Sequence, residues 1–336
     1  MRIATWNIEW FNALFDADNS AIEDDSPSAR YKVSKREQLV GIGIVLAAMD
    51  ADAVLIVEAP DDSRTRSTVA ALEGFAGAIG LRTRKAVIGF SSHTEQEIAL
   101  LFDPDVLGVR HDPQDSPQAP RFDTSASVSL GNGAGTEEAQ FSKPPLELMV
   151  QPVTGGAFRL IGVHAKSKAP HGARNDADIR RIGLANRRKQ LAQCLWLRAR
   201  VEDHLAAGEP LIVLGDLNDG PGLDDFEGVF GRSGVEVVMG PADDPARHLT
   251  DPHAAAALRR PMTLPHSTAR FYSKQSRRFF AALLDYILVS PDIAARGPEW
   301  RIWHPFDDPV CWSTPELRQA LLDASDHFPV TLDFTP

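Results

Sequence analysis

Cysteine is nearly absent: two residues, Cys194 and Cys311, in a chain of 336. Both sit in apolar surroundings and neither belongs to a metal-type spacing, which argues against a disulfide framework and a zinc ribbon. No apolar run is long enough to span a bilayer. No apolar signal segment stands at the start, where Met1-Arg2-Ile3-Ala4-Thr5-Trp6 passes straight into strand-like sequence, so a cytoplasmic location is expected. Positive charge is in deficit too: 35 Lys and Arg against 46 Asp and Glu leave a net charge of −11. That argues against a surface coated in basic residues for sequence-independent nucleic-acid binding, although a local basic groove is compatible with the sum.

What is present looks like an ordinary soluble globular protein, 43% apolar and 24% charged. The length admits one large α/β domain or two smaller ones. Residues 2–11, rich in β-branched and aromatic side chains, read as a buried strand ending in Asn7 and Glu9. Ser34 is placed to cap a largely buried helix over 35–49. A short apolar strand over 53–57 is closed by Glu58; a helix over 65–79 and strands over 85–90 and 98–102 follow. Residues 103–145 are full of Pro, Gly, Ser and Asp, too long for an ordinary connection, and read as a hairpin or surface insertion. Strands over 146–153 and 158–163 pair around Thr154-Gly155-Gly156, the second ending at His164. A helix over about 178–205 has an apolar side (Ile182, Leu184, Leu191, Leu195, Val201) and a charged one (Arg180, Arg181, Arg187, Arg188, Lys189). Apolar strands over 211–214 and 283–289, short helices over 226–230 and 316–322, and a last strand over 330–334 complete the chain. No linker or repeat interrupts it, so a single domain over 1–336 is expected.

Certain polar residues stand where apolar runs stop. Asn7 alone is an unremarkable turn former. Glu58, directly after Val54-Leu55-Ile56-Val57, either reaches water or binds something, and a hard divalent cation such as Mg²⁺ suits a strand-end carboxylate. His164 lies beside Lys166 and Lys168, a solvated turn or a phosphate-facing cluster. Asp216 and Asn218 alternate in the tight loop Gly215-Asp216-Leu217-Asn218-Asp219-Gly220-Pro221, a spacing that can place an acceptor and an amide on one side. Asp285 lies within an apolar strand, where an unpaired charge is costly, so it requires a partner. His327, in Ser325-Asp326-His327, is the obvious candidate. Together these residues outline phosphoester hydrolysis: metal, positioned water, charge stabilisation and an oriented imidazole.

The ordered set Thr5-Trp6-Asn7, Glu58, Val163-His164, Gly215-Asp216-Leu217-Asn218-Asp219, Leu284-Asp285-Tyr286 and Ser325-Asp326-His327-Phe328-Pro329-Val330 resembles the endonuclease/exonuclease/phosphatase superfamily, which includes deoxyribonuclease-like and exonuclease III-like enzymes. The resemblance spans nearly the whole chain. It implies a four-layer α/β sandwich, two central sheets covered by helices, with the site at one end. It also implies a metal site for Mg²⁺ or Mn²⁺ built on Glu58, with Asn7 beside it and Asp326 close enough to join. Asp216 would orient or deprotonate water, and Asn218 would hold a phosphate oxygen. His327 would contact the scissile phosphate with Asp285 fixing its tautomer, and His164 would stabilise the phosphate or assist the leaving group. Val57 departs from the glutamine common in the family before the glutamate. The runs Phe141-Ser142-Lys143-Pro144-Pro145-Leu146 and His164-Ala165-Lys166-Ser167-Lys168 resemble a bacterial nuclease-like subgroup.

Basic residues recur over 166–189 and at Arg270, Lys274, Arg277 and Arg278, the latter interleaved with Phe271, Tyr272, Phe279 and Phe280. Aromatic side chains so placed either stack on bases or pack. Lys166 and Lys168 are expected to contact phosphate. The expected activity is a metal-dependent nuclease acting on DNA or RNA. The alternative, favoured by the acidic net charge, is a phosphatase or phosphodiesterase acting on a small phosphorylated metabolite or lipid head group.

Overall fold

Ser34 opens the first helix with a reciprocal cap: its hydroxyl accepts the Glu37 N–H and the Glu37 carboxylate accepts the Ser34 N–H. Such a box is worth on the order of 1 kcal/mol and fixes where the chain turns into α1 (Lys35–Met49). The structure, a computed structural model, describes residues 1–92, 94–131, 133–221, 230–259, 266–273 and 277–336. The helix expected over 226–230 falls almost wholly outside them, as does Lys274.

Two large mixed sheets form the centre. The six-stranded sheet runs β14-β15-β1-β2-β4-β3, with β1 (Arg2–Asn7), β2 (Ala53–Ala59), β3 (Lys85–Ile88), β4 (Glu97–Phe102), β14 (Glu299–Ile302) and β15 (Val330–Asp333). The five-stranded sheet runs β13-β10-β9-β8-β5, with β5 (Leu107–His111), β8 (Leu146–Pro152), β9 (Phe158–His164), β10 (Leu211–Asp216) and β13 (Asp285–Val289). Strands β1 and β2 pair in parallel, as do β9 and β10; the other neighbours are antiparallel.

Side-chain alternation divides the six-stranded sheet between two cores. Ile3, Leu55, Val57, Ile98 and Leu100 face the five-stranded sheet. Ala4, Trp6, Val54, Ile56, Ala99 and Leu101 face α1, α2 (Thr68–Ala78) and α8 (Pro315–Ala324). Strands buried on both sides read as unbroken apolar runs, which is why 53–57 and 211–214 carry no alternation. On the far side α3 (Asp176–Ala206) covers the five-stranded sheet through Leu191, Trp196, Leu197 and Val201, joined by α4 (Gly234–Met239) and α5 (Pro252–Arg259). The order helix, sheet, sheet, helix is the four-layer α/β sandwich expected from the sequence.

Residues 103–145 are more than a surface insertion. They supply β5, an edge strand of the second sheet, and a hairpin of β6 (Ser125–Ser129) and β7 (Thr136–Gln140). Phe122 and Phe141 from this stretch cluster with Trp196 of α3 in edge-on and tilted contacts, each pair of ring centroids 5.4 Å apart. Arg187, read from the sequence as part of the charged side of α3, is fully buried instead, 3.6 Å from Asp219. A second hairpin, β11 (Ala269–Ser273) with β12 (Arg278–Ala282), stands outside both sheets. Short helices α6 (Pro291–Ala294) and α7 (Pro309–Ser313) complete the set. Among the described residues, no helix is long and apolar enough to cross a membrane.

Candidate active site

The ends of strands from both sheets meet in one cavity of about 490 Å³, lined by Asn7, Glu9, Glu58, His164, Asp216, Asn218, Asp326 and His327 among others. Asn7 arrives there because Ile3, Thr5 and Asn7 share the intersheet face of β1. Its Nδ2 donates to Asp216 Oδ2 at 3.1 Å. Ser325 ties the last loop to the end of β1: its hydroxyl donates to the Asn7 carbonyl at 2.8 Å and accepts the N–H groups of Glu9 and His327, both at 3.1 Å.

His327 Nδ1 lies 2.8 Å from Asp285 Oδ2, and the two side chains are nearly sealed from solvent. Burial opposes a charge on His327, but Asp285, then Asp216 and Asp326, outweigh it and hold its pKa well above the ordinary histidine range. The proton on Nδ1 is thereby committed to Asp285, and Nε2 is left as the second donor. Asp216 is pushed up to about 7 by burial and by Asp285, against the pull of His327, the Asn218 N–H and Asn7. Its two oxygens are pinned by the Asn218 N–H at 2.7 Å and by the Asn7 and Asn218 amides.

Asn218 takes a left-handed backbone, φ 51°, which turns its amide back into the site. Its Nδ2 donates to Asp216 Oδ2 at 3.0 Å and to the Ala165 carbonyl at 3.1 Å. His164 Nε2 stands 3.7 Å from Asp216 Oδ2. Burial, with repulsion from Lys143, His327 and Lys166, holds His164 well below its ordinary range, so it is a neutral imidazole beside a charged one.

Glu58 is placed by a register break. Val57 pairs with Ile98 and Ala59 with Glu97, leaving Glu58 between them at φ 62°. Such a bulge re-aims one side chain without ending the strand. The Glu58 carboxylate accepts the Trp10 N–H at 3.1 Å and the Gln96 amide at 2.6 Å. Burial raises its pKa, against the Trp10 N–H, Lys143 and His327. Asp326 lines the same cavity.

The two lysines expected to contact phosphate have different fates. Lys168 lines the cavity, but its ammonium ion-pairs with the buried Asp219 carboxylate. Lys166 is not among the lining residues; its N–H donates to Gln193 Oε1 at 2.7 Å.

The profile of the Endonuclease/Exonuclease/phosphatase family matches residues 4–327. The chain belongs to that family. Its members are phosphoester hydrolases that generally depend on divalent metal. No curated protein matches the sequence. Among solved structures, TDP2 from Caenorhabditis elegans aligns over 100% of this chain and 74% of its own, at 13% identity and a TM-score of 0.51. ANGEL2, a 2',3'-cyclic phosphatase solved with adenosine-2',3'-vanadate, aligns over 98% of this chain and 94% of its own, at 15% identity and a TM-score of 0.51. At these identities the likeness is one of fold.

The donor set fits the family's metal on one side of the cavity. Asn7 Oδ1 is buried with no hydrogen-bond partner. An acceptor left so costs free energy unless a donor or cation reaches it. Beside it stand the desolvated Glu58 carboxylate and Asp326, an all-oxygen set suited to a hard cation. Donor atoms of Asp216, Asp285 and His327 also lie within 4.8 Å of one another. That group includes the His327 imidazole, held protonated by Asp285, which disfavours a second cation there and leaves the Glu58 side as the candidate for the metal.

Five supporting residues carried no chemical role in the sequence reading. Glu9, pushed up to about 7 by burial and Asp326 against its ion pair with Arg30, lines the cavity. Thr268 Oγ1 accepts the Asp285 N–H at 3.0 Å. Gln96 and Ser325 hold Glu58 and the strand ends. Lys143, its pKa lowered by burial against the pull of Glu58 and Asp216, is a second cation within electrostatic reach of those carboxylates. Three had a local signal: Glu9 at the end of the first strand, Ser325 in the Ser-Asp-His motif, and Lys143 before Pro144-Pro145 at a strand start.

Proposed function

We propose that the chain is a divalent-metal-dependent phosphodiesterase that cleaves DNA or RNA. The observation that carries the reading is the convergence, in one cavity, of the buried His327–Asp285 pair, the pinned Asp216 and the partnerless Asn7 oxygen. Glu58, Asn7 and Asp326 would hold the cation, Mg²⁺ or Mn²⁺, which would supply charge neutralisation and polarisation at the phosphate. Asp216, with its pKa near the working range, orients a water and takes its proton as the new phosphorus–oxygen bond forms, while the opposite ester bond to phosphorus breaks and its oxygen leaves as an alcohol, protonated from solvent. His327, kept protonated by Asp285, donates from Nε2 to the phosphate as charge accumulates on its oxygens. Neutral His164 donates at the same centre. Asn218 reaches a phosphate oxygen by releasing its bond to the Ala165 carbonyl.

The test is incubation of the purified protein with labelled single- and double-stranded DNA and RNA in Mg²⁺, Mn²⁺ or chelator. Metal-dependent cleavage that disappears in a folded His327→Ala variant is expected. No cleavage of any oligonucleotide under any metal would refute the nuclease reading. The net charge of −11 favours a second reading, a small phosphorylated metabolite or head group as substrate. A phosphate-release screen across such compounds decides between them.

A further inference from the structure

Beside the catalytic cavity the β11–β12 hairpin puts aromatic rings where solvent can reach them. Tyr272, Phe279 and Phe280 are 54%, 57% and 49% exposed. Large apolar side chains exposed together on one short hairpin mark a binding surface more often than scattered single ones do. The register explains their arrangement. Phe271 opposes Phe280, while Tyr272 opposes Phe279, so the two pairs occupy opposite faces of the ribbon.

The Phe271/Phe280 face belongs to the cavity. Both residues line it, and the Phe271 ring stands 5.4 Å from the His327 ring. The hairpin is fixed there by backbone: the Arg270 N–H donates to the Asp326 carbonyl at 2.8 Å, and Ala269 bridges His327. The Tyr272/Phe279 face carries Arg270, whose guanidinium lies 3.7 Å above the Phe279 ring and 5.3 Å from that of Phe306. Arg277, just before β12, and Arg278, its first residue, are exposed. Planar rings interleaved with arginines match a ligand that alternates planar bases with phosphates.

The charge of the whole molecule sharpens the choice. With a net −11 the protein repels a polyanion at long range, so phosphate contacts alone are a poor source of affinity. Base stacking does not suffer that penalty. A duplex hides its base faces; an unpaired strand offers them.

We infer that the β11–β12 hairpin is a stacking platform for unpaired bases, with Phe280 and Phe271 receiving the base next to the scissile phosphate. The substrate is therefore single-stranded nucleic acid, or an unpaired end, in preference to intact duplex. This rests on the nucleic-acid reading above and narrows it.

The experiment measures fluorescence anisotropy of labelled oligonucleotides with the full-length protein in chelator, which stops turnover. A single strand should bind at least about tenfold more tightly than a duplex of the same length, the scale of one stacked base. An all-abasic strand, with phosphates but no bases, should bind as weakly as the duplex. Phe280→Leu keeps an apolar side chain but removes the ring, and should weaken single-strand binding roughly tenfold, with Phe280→Trp restoring it. Equal affinity for single strand and duplex, or for based and abasic strands, would overturn the platform; so would an unchanged Phe280→Leu. A dimer that dissociates on Phe279→Ala would also overturn it, identifying the patch as a contact between copies. Hydrolysis of bis(p-nitrophenyl) phosphate by the unaltered protein in Mg²⁺ reads the catalytic proposal separately, since that diester needs no base platform.

Discussion

An imidazole buried among carboxylates keeps its proton only while the nearest of them stays ionised. For His327 that carboxylate is Asp285, 2.8 Å from Nδ1. Asp285→Asn preserves shape but removes the charge. We expect kcat to fall about 100-fold, the usual cost of losing a group that orients a ligand or base, with an unfolding midpoint within a few degrees of wild type. The kcat–pH profile should lose its high-pH limb at a lower pH, because His327 would surrender its proton earlier. Full activity in that variant would dissolve the pairing. Glu147, which does not line the cavity, shows the same physics acting on stability. Burial pushes it up to about 7 from 4.5, outweighing Arg200, whose Nε is 2.9 Å away. A carboxyl raised above its unfolded value lends stability below about pH 4.5 and withdraws it as pH rises through about 7. Glu147→Gln should therefore match wild type in urea unfolding at pH 4.5 and exceed it at pH 8, by on the order of 3 kcal/mol. A gap that does not grow with pH would show that the ion pair prevails over burial.

Elements aim these residues through backbone features that side-chain patterns do not announce. Gly215 sits at φ 131°, and a Cβ there would fall on the Val163 carbonyl oxygen of the neighbouring strand. Gly215→Ala should cost at least ~3 kcal/mol, combining backbone strain with a clash that parts β10 from β9 just before Asp216. Denaturant unfolding checks it, and wild-type stability would mean that the strand can slide. The layers were legible because buried strands are long apolar runs and because Ser34 and Glu37 announce α1. Asp285 was legible as a charge in an apolar strand, a position that demands a partner. The bulge at Glu58 was not, since nothing about a glutamate signals a left-handed residue. The burial of Arg187 was hidden likewise, because its partner Asp219 lies in a distant loop. β14 was missed for a third reason: Glu299–Ile302 is short and mostly half-exposed, with no pattern above its surroundings.

The whole molecule brings the two halves of the site together by stacking one sheet on the other. Asn7 and Glu58 come from the six-stranded sheet, Asp326 from the loop entering it. His164, Asp216 and Asp285 come from the five-stranded sheet. The spacing between sheets thus sets the distance between the oxygen-rich side and the proton-handling side. Gly162 of β9 is a point of close approach between them: a Cβ there would run into Leu55 Cδ1 and lie 3.3 Å from Ile98 Cγ2. Gly162→Ala adds one methyl group remote from any reacting atom. Overpacking of this kind costs about 1–3 kcal/mol, and pushing the sheets apart should also lower kcat, since a 1 Å misplacement can cost ~100-fold. Leu55→Val trims the side chain that the new methyl meets. Combined with Gly162→Ala it should recover stability and turnover together, with a coupling of roughly 1 kcal/mol in a double-mutant cycle. Recovery of stability without turnover would mean that the strand-end loops, and not the sheet spacing, hold the site's geometry.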